Sequence, residues 1–304
     1  MTAIRLQPLT RARVSGLGPV GQQWLEALPG VLDQLATQWS LQIGRALPGG
    51  SASYVVGATT ADGRSVVAKV ALPDPGLDAQ VATLERAAGR GYVQLLAYDA
   101  ARGALLLERL GASLDRTVRR PEDQLRILAD TLTTAWLPAT SGPVDKAADL
   151  KSGLLDAWQR LGRPCSRRVV DQAAAYADRR SADPGEPVVV HGDPHPGNLL
   201  AVPQPRPGGE TGFCFVDPDG FVADRAYDLG VALRDWCSRL QGADARRVLE
   251  GYGQILAERT GVDTVRIWEW GFVERVSTGL YVLDTVGSTA VGRPFLDTAE
   301  RLLD

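Results

Sequence analysis

The sequence predicts an α+β protein in two lobes, a small antiparallel sheet followed by a larger and mainly helical part. Three observations carry this expectation. Short β-branched runs parted by turn residues fill the stretch up to Leu107, with one helical pattern among them. After Gly111 the apolar spacing becomes helical. Inside that helical half, two strand-like runs each end in a polar turn, His191-Gly192-Asp193-Pro194-His195-Pro196-Gly197-Asn198 and Asp217-Pro218-Asp219-Gly220.

Leu41 to Leu47 suits a strand, Pro48 to Ser53 a turn, and Tyr54 to Thr59 a second strand; Asp62-Gly63 is a hairpin signal leading into Ser65 to Val70. Asp74-Pro75 reads as a helix cap followed by proline at the first helical position, and Leu77, Val81, Leu84 and Ala88 recur at helical spacing until Gly89 and Gly91 stop them. Val93 to Tyr98 and Ala104 to Leu107 are two further strands. The lobes join near Glu108 to Gly111, which sets residues 1–110 as an N-terminal lobe and 111–304 as a C-terminal lobe. In the second lobe, helices are expected over Pro121 to Leu137, Lys151 to Leu161, Arg167 to Arg180, Ala226 to Leu240, Ala245 to Thr260, Asp263 to Val286 and Arg293 to Leu302. Pro203 to Gly212, rich in Pro and Gly, reads as an exposed loop.

Composition narrows the function classes. With 304 residues and 44% hydrophobic content, the chain buries a sizeable core. A net charge of −3 without a Lys/Arg-rich block argues against nucleic acid as a partner. No apolar run has the length of a membrane span, and the first ten residues lack a signal-peptide core. Three scattered cysteines (Cys165, Cys214, Cys237) without a CxxC pair point to a reducing, cytoplasmic setting. Nothing indicates an obligate protein partner.

The chemistry concentrates in the two polar turns. An Asp with an Asn five residues on, and a second Asp closing the next strand, is the arrangement of kinase-type phosphoryl transfer. A hydroxyl is a poor nucleophile until a carboxylate orients it and takes its proton, the role expected of Asp193. Mg²⁺ prefers hard oxygen ligands and keeps several waters, so one amide oxygen and one carboxylate, Asn198 and Asp217, suffice beside nucleotide phosphates. His191, Asp193 and His195 at alternate positions also suggest a metal-hydrolase set, but Pro194 and Pro196 break the regular backbone that would converge them. His191 is expected instead to hold the loop's shape.

Upstream, Lys69 lies in the strand Val66-Val67-Ala68-Lys69-Val70, after a Gly-rich turn, where a kinase lysine contacts the α and β phosphates of ATP. Gly49, Gly50, Ser51 and Ser53 of that turn are expected to cover the phosphates with backbone N–H groups and hydroxyls. The turn lacks GxxxxGK[ST], so it is not a Walker loop.

With these residues assembled, the chain resembles the aminoglycoside/hydroxyurea antibiotic-resistance kinases from about Trp24 to Glu274. The likeness includes Trp24-Leu25-Glu26-Ala27-Leu28-Pro29, the turn over 49–55, Gly89-Arg90-Gly91, Leu105 to Leu110, the two motif turns, and Ala223-Asp224-Arg225-Ala226-Tyr227-Asp228-Leu229. The resemblance implies a bilobal protein-kinase-like fold, ATP with Mg²⁺, Glu108 and Leu110 beside the nucleotide, and Asp228 bracing the catalytic loop. It also implies a Glu on the first helix to pair with Lys69; here Gln80 occupies that position, with Asp78 and Glu85 nearby. Protein kinases usually carry Arg and Lys where this chain has Gly192 and His195, so a small-molecule acceptor fits better than a protein.

For the acceptor, Asp235, Trp268, Glu269, Glu274 and Asp284 offer carboxylates and an aromatic face to a polycationic sugar. The loop 203–212 and the region 137–148 are expected to shape specificity. The resemblance favours streptomycin, with hydroxyurea or an unidentified metabolite as alternatives. A kinase-like binding protein without turnover, suggested only by Gln80, is the competing class.

Overall fold

A computed structural model describes residues 4–49, 52–73 and 76–303. The chain divides into two compact units: the residues up to Gly89 together with Val93–Gly111, and Arg90–Tyr92 together with everything from Ala112 on.

The first unit opens with two helices that sequence reading did not anticipate, α1 (Pro8–Gly16) and α2 (Pro19–Gln38). Each has proline at its start, where the missing N–H costs nothing. Then come β1 (Leu41–Ala46), β2 (Ser53–Thr60), β3 (Ser65–Ala71), α3 (Leu77–Ala87), β4 (Leu95–Asp99) and β5 (Ala104–Glu108). The sheet is antiparallel in the order β1-β2-β3-β5-β4. One face carries Val56, Ala68, Val70 and Ala104, buried against Leu28, Leu32 and Leu35 of α2. So α2 closes one side of the sheet, and the alternation of strand residues sends Val55, Gly57, Val67, Lys69, Leu105 and Leu107 to the other. The Asp74-Pro75 cap lies outside the described residues. At its far end α3 stops where Ala88 turns left-handed (φ 47°).

The second unit contains α4 (Leu114–Thr117), α5 (Pro121–Ala135), β6 (Leu137–Pro138), α6 (Lys146–Arg160), α7 (Arg167–Ala182), β7 (Pro187–Val189), β8 (Leu199–Ala201), β9 (Phe213–Phe215), β10 (Val222–Asp224), α8 (Arg225–Arg234), α9 (Ala245–Thr260), α10 (Thr264–Tyr281) and α11 (Thr289–Arg301). Asp145, Ser166, Asp224 and Asp263 cap α6, α7, α8 and α10 through their side-chain oxygens; caps of this kind contribute about 1 kcal/mol each. Two small antiparallel sheets, β10-β7-β6 and β8-β9, sit among the helices. Helix α8 packs closely on α10 because Gly230 leaves no side chain between them: a Cβ there would stand 2.3 Å from Trp270 Cβ.

Three sequence expectations need correction. The helix expected to run to Leu240 ends at Arg234, because the guanidinium of fully buried Arg275 donates to the carbonyls of Leu233 (2.9 Å) and Asp235 (3.1 Å), and Trp236 turns left-handed. The last turn of the expected helix at 263–286 widens into a π turn over Val282–Val286. The loop 203–212 is not wholly exposed: Gly208 and Gly209 are buried, Arg206 donates to the Tyr92 carbonyl (2.9 Å), and Gly208 accepts from the Gly91 N–H (2.7 Å). These bonds, with Phe215 N–H donating to Gly91 O at 2.8 Å, are why Arg90–Tyr92 belong to the second unit.

Candidate active site

In the first unit, Lys69 is buried and donates from Nζ to Gln80 Oε1 at 2.9 Å. Strand β3 and helix α3 therefore meet through a charge–amide hydrogen bond at the position where the resemblance implied an ion pair. On the same face, one residue pair along β2, buried Ser53 keeps its hydroxyl without a hydrogen-bond partner among the described residues. Gly49 is left-handed (φ 109°), while Gly50 and Ser51 lie outside the described residues. The Glu108 carboxylate accepts from the Gln94 N–H at 2.8 Å and so braces the end of β5, and Leu110 is buried.

In the second unit the two motif turns form one hydrogen-bonded assembly. His191 is fully buried; its Nδ1 accepts from the Asp193 N–H (3.1 Å), so Nε2 carries the proton and donates to Val216 O (2.9 Å). Both ring nitrogens are thus committed to backbone, which rules this imidazole out as a metal ligand. Burial lowers its pKa to about 4, so it is neutral at physiological pH. Its ring also packs against Tyr92 and Phe215, at 5.9 and 4.8 Å between centroids.

Below this loop lies Asp228 on α8, fully buried. Its Oδ1 accepts from Gly192 N–H (2.8 Å), and its Oδ2 from His191 N–H (2.8 Å) and Trp136 Nε1 (2.9 Å). Burial pushes this carboxyl up to about 6 against the lowering effect of those donors. Gly192 is left-handed (φ 93°), and a Cβ on it would stand 2.5 Å from Asp219 Oδ2. Thus only glycine fits there.

Asp193 follows with its side chain 40% exposed, enough for a carboxylate oxygen to meet a ligand. Its Oδ1 lies 2.5 Å from Arg234 Nη2, and its Oδ2 lies 3.5 Å from His195 Nε2. His195 Nδ1 accepts from the Gly197 N–H (3.1 Å), which places that ring's proton on Nε2, facing Asp193. Burial pushes the Asp193 carboxyl up, but Arg234 and then His195 outweigh it, so its pKa is held below the ordinary carboxylate value. Asn198 donates its amide N–H to Asp193 O at 3.0 Å, leaving the amide oxygen as the atom available to a cation. The pairing of Leu199 with Phe215, and the bond from Val216 N–H to Asn198 O (2.9 Å), set Asn198 and left-handed Asp217 at the same end of the β8–β9 ladder. An amide oxygen and a carboxylate fit a hard cation that draws its other ligands from phosphate and water.

Arg234 is the residue that sequence reading missed. It is the one charge closing a helix whose residues Ala226–Leu233 are all buried, which is the signal that could have found it. Its other arm, Nη1, donates to Glu274 Oε2 at 3.1 Å, and Glu274 Oε1 accepts from Tyr227 OH at 2.7 Å. Of the five expected acceptor residues, the structure brings Asp235 (Oδ1 3.8 Å from Arg234 Nε) and Glu274 to this group. The others are committed elsewhere. Glu269, 3% exposed, pairs with Arg180 (2.6 Å) and Arg179 (2.7 Å). Asp284 pairs with Arg160 (2.7 Å), and Trp268 lies under Arg246 at 5.4 Å. The region 137–148 is built onto β7 and β10, with Leu137–Pro138 pairing with β7 and Val144 N–H donating to Val222 O.

A sheet bearing a buried, braced lysine, together with an Asp–Asn–Asp set on two linked turns, defines a small-molecule kinase of the protein-kinase-like fold. The chain belongs to the aminoglycoside/hydroxyurea antibiotic resistance kinase family, whose profile matches residues 38–285. It is 29% identical to a streptomycin 6-kinase of Streptomyces glaucescens over 97% of this chain and 96% of that one. It is 30% identical to a hydroxyurea phosphotransferase of Kitasatospora aureofaciens over 94% and 82%. Among solved structures, a choline kinase from Streptococcus pneumoniae shares the fold with a TM-score of 0.60 at 12% identity, covering 91% of this chain and 99% of that one. An aminoglycoside phosphotransferase from Streptomyces rimosus, solved with ADP and streptomycin, does so with a TM-score of 0.54 at 19% identity, covering 83% and 98%.

Proposed function

We propose that this kinase transfers the γ-phosphoryl group of ATP, with Mg²⁺, to a hydroxyl of an aminoglycoside, streptomycin being the first candidate. The observation that carries the reading is the posture of Asp193, half exposed and pinned by Arg234 and His195 at the head of a loop that ends on Asn198 beside Asp217. A carboxylate whose pKa is held down stays ionised but is a weak base. Asp193 therefore orients the acceptor hydroxyl and takes its proton late, as suits a loose transition state. Asn198 Oδ1 and the Asp217 carboxylate would hold the metal, whose charge would offset that of the phosphates. Lys69, braced by Gln80, would meet the α and β phosphates. Half-buried Asp235, next to Arg234, offers a carboxylate to a cationic acceptor.

The small-molecule acceptor follows from the family; its identity is inferred from relatives named for streptomycin. The relative named for hydroxyurea, at 30% identity, gives hydroxyurea as the second reading. Among the described residues no helix is long and apolar enough to cross a membrane. Cys165, Cys214 and Cys237 form no disulfide with one another, which fits a reducing, cytoplasmic setting.

The test is ATP consumption by the purified chain with Mg²⁺ against both compounds, with Asp193→Ala alongside. Streptomycin-dependent turnover, reduced about 10²–10⁴-fold in the variant with nucleotide binding retained, is expected. Turnover with hydroxyurea alone transfers the proposal to the second reading. Absence of nucleotide binding by the wild-type chain overturns both.

A further inference from the structure

On the Lys69 face of the first unit's sheet, β1 and β2 oppose two glycines, Gly44 and Gly57, and a cavity of about 270 Å³ opens beside them. Its lining includes Arg45, Leu47, Thr59 and Arg109, and no carboxylate. Arg109 follows directly on β5, and its guanidinium is laid onto Gly57: a Cβ at Gly57 would stand 3.3 Å from Arg109 Nη1. Arg109 is half-buried, yet among the described residues it has neither an ion pair nor a hydrogen-bond partner. A partly desolvated guanidinium without a partner seeks an anion or a π face.

Strand register says which. Lys69 pairs with Val55, and the next pairs on that face are Val67 with Gly57 and Ser65 with Thr59. At about 3.4 Å per residue, the cavity begins some 7 Å along the sheet from the lysine, toward the end of β5. A nucleotide whose phosphates are at Lys69 extends its ribose and base over that distance. The phosphates themselves stay at the lysine. We propose that Arg109, seated on Gly57, is the stacking platform for the nucleobase of the donor. This rests on the nucleotide reading above and adds the residue that recognises the base. Because every purine has a π face, stacking accepts adenine and guanine alike; a guanidinium reading the base edge would instead favour the paired acceptors of guanine.

Isothermal titration of the full chain with ATP, GTP and inorganic tripolyphosphate tests it. Arg109→Ala is expected to weaken ATP and GTP each by about tenfold, the scale of a partly desolvated cation–π contact, and to leave tripolyphosphate within about twofold. Arg109→Lys, which keeps the charge but loses the plane, does not restore binding. Gly57→Val, which keeps Arg109 but fills its seat, reproduces the loss. Equal weakening of ATP and tripolyphosphate with rescue by Lys overturns the proposal in favour of a phosphate contact. Loss confined to GTP overturns it in favour of edge recognition, and unchanged ATP binding in Arg109→Ala overturns it outright. A wild-type chain that binds none of the three sinks the phosphotransfer reading itself, a result distinct from all of these.

Discussion

Arg234 holds one oxygen of Asp193 at 2.5 Å while its other arm rests on buried Glu274 at 3.1 Å. The proposed base is therefore fixed from behind by a cation that is itself anchored between carboxylates, and against the raising effect of burial that cation, with His195, holds its pKa below the ordinary carboxylate value.

Replacing Arg234 with Gln removes the charge that keeps Asp193 ionised and leaves burial to raise its pKa. Asp193 must be ionised to act, so the acid limb of the kcat/KM profile moves to higher pH in the variant. The pH profile of wild type and Arg234→Gln, measured at saturating nucleotide, shows this directly. A variant that is merely slower, with its acid limb unmoved, would mean that Arg234 serves packing alone.

The Lys69–Gln80 bond makes a second prediction. Lys69 already donates from a charged ammonium, and a carboxylate acceptor would add the attraction of a full opposite charge to that bond. Gln80→Glu should therefore hold Lys69 more firmly and lower the KM for ATP several-fold, and Gln80→Leu should raise it. KM values for ATP that stay constant across both variants would show that α3 does not position the lysine.

Asp228 predicts a pH-dependent stability. Its folded pKa of about 6 lies above the ordinary carboxylate value, so its contribution is fully present below pH 4 and is lost as pH rises toward 6 and above. At about 1.4 kcal/mol per pKa unit the span is about 3 kcal/mol. Asp228→Asn lacks this decline, though it loses acceptor capacity for three N–H donors at every pH. Its destabilisation, read from urea unfolding, should be largest near pH 4 and shrink by pH 7. Neutral His191 acts oppositely in both proteins, since its contribution falls as pH drops from 6.5 toward 4, and it cancels in the difference. A difference independent of pH would mean that Asp228 is ionised throughout.

Glu269 and Asp235 separate stability from acceptor binding. Glu269→Ala leaves the buried Arg180 only the more distant Asp183 carboxylate (3.7 Å) and should cost about 3 kcal/mol of stability while leaving the acceptor KM unchanged. Asp235→Asn should raise the KM for streptomycin several-fold with little change in Tm. If the two effects are exchanged, the acceptor site lies at α7 and α10 instead.

Much of this site is legible in the chain because its parts are local. The turn 191–198 and Asp217 lie close in sequence, and their spacing alone sets which residues follow each strand. Lys69 and the β3 strand are readable for the same reason, since alternation and a hairpin signal depend on neighbours only. Helix ends were less legible. Where α8 stops depends on Arg275, some forty residues away, and an isolated sequence gives no sign that this guanidinium will take the carbonyls of Leu233 and Asp235.

The sequence by itself determined the order of elements from β1 to β5, the two polar turns and the Asp193, Asn198 and Asp217 set, because local spacing and residue chemistry specify them. Only the tertiary structure decided that Arg234 clamps Asp193, that Glu269 and Asp284 are taken by arginines, and that α2 covers one face of the sheet. Each of these is a choice of partner among many equivalent charged or apolar side chains. Helix packing makes that choice, through contacts between residues far apart in the chain.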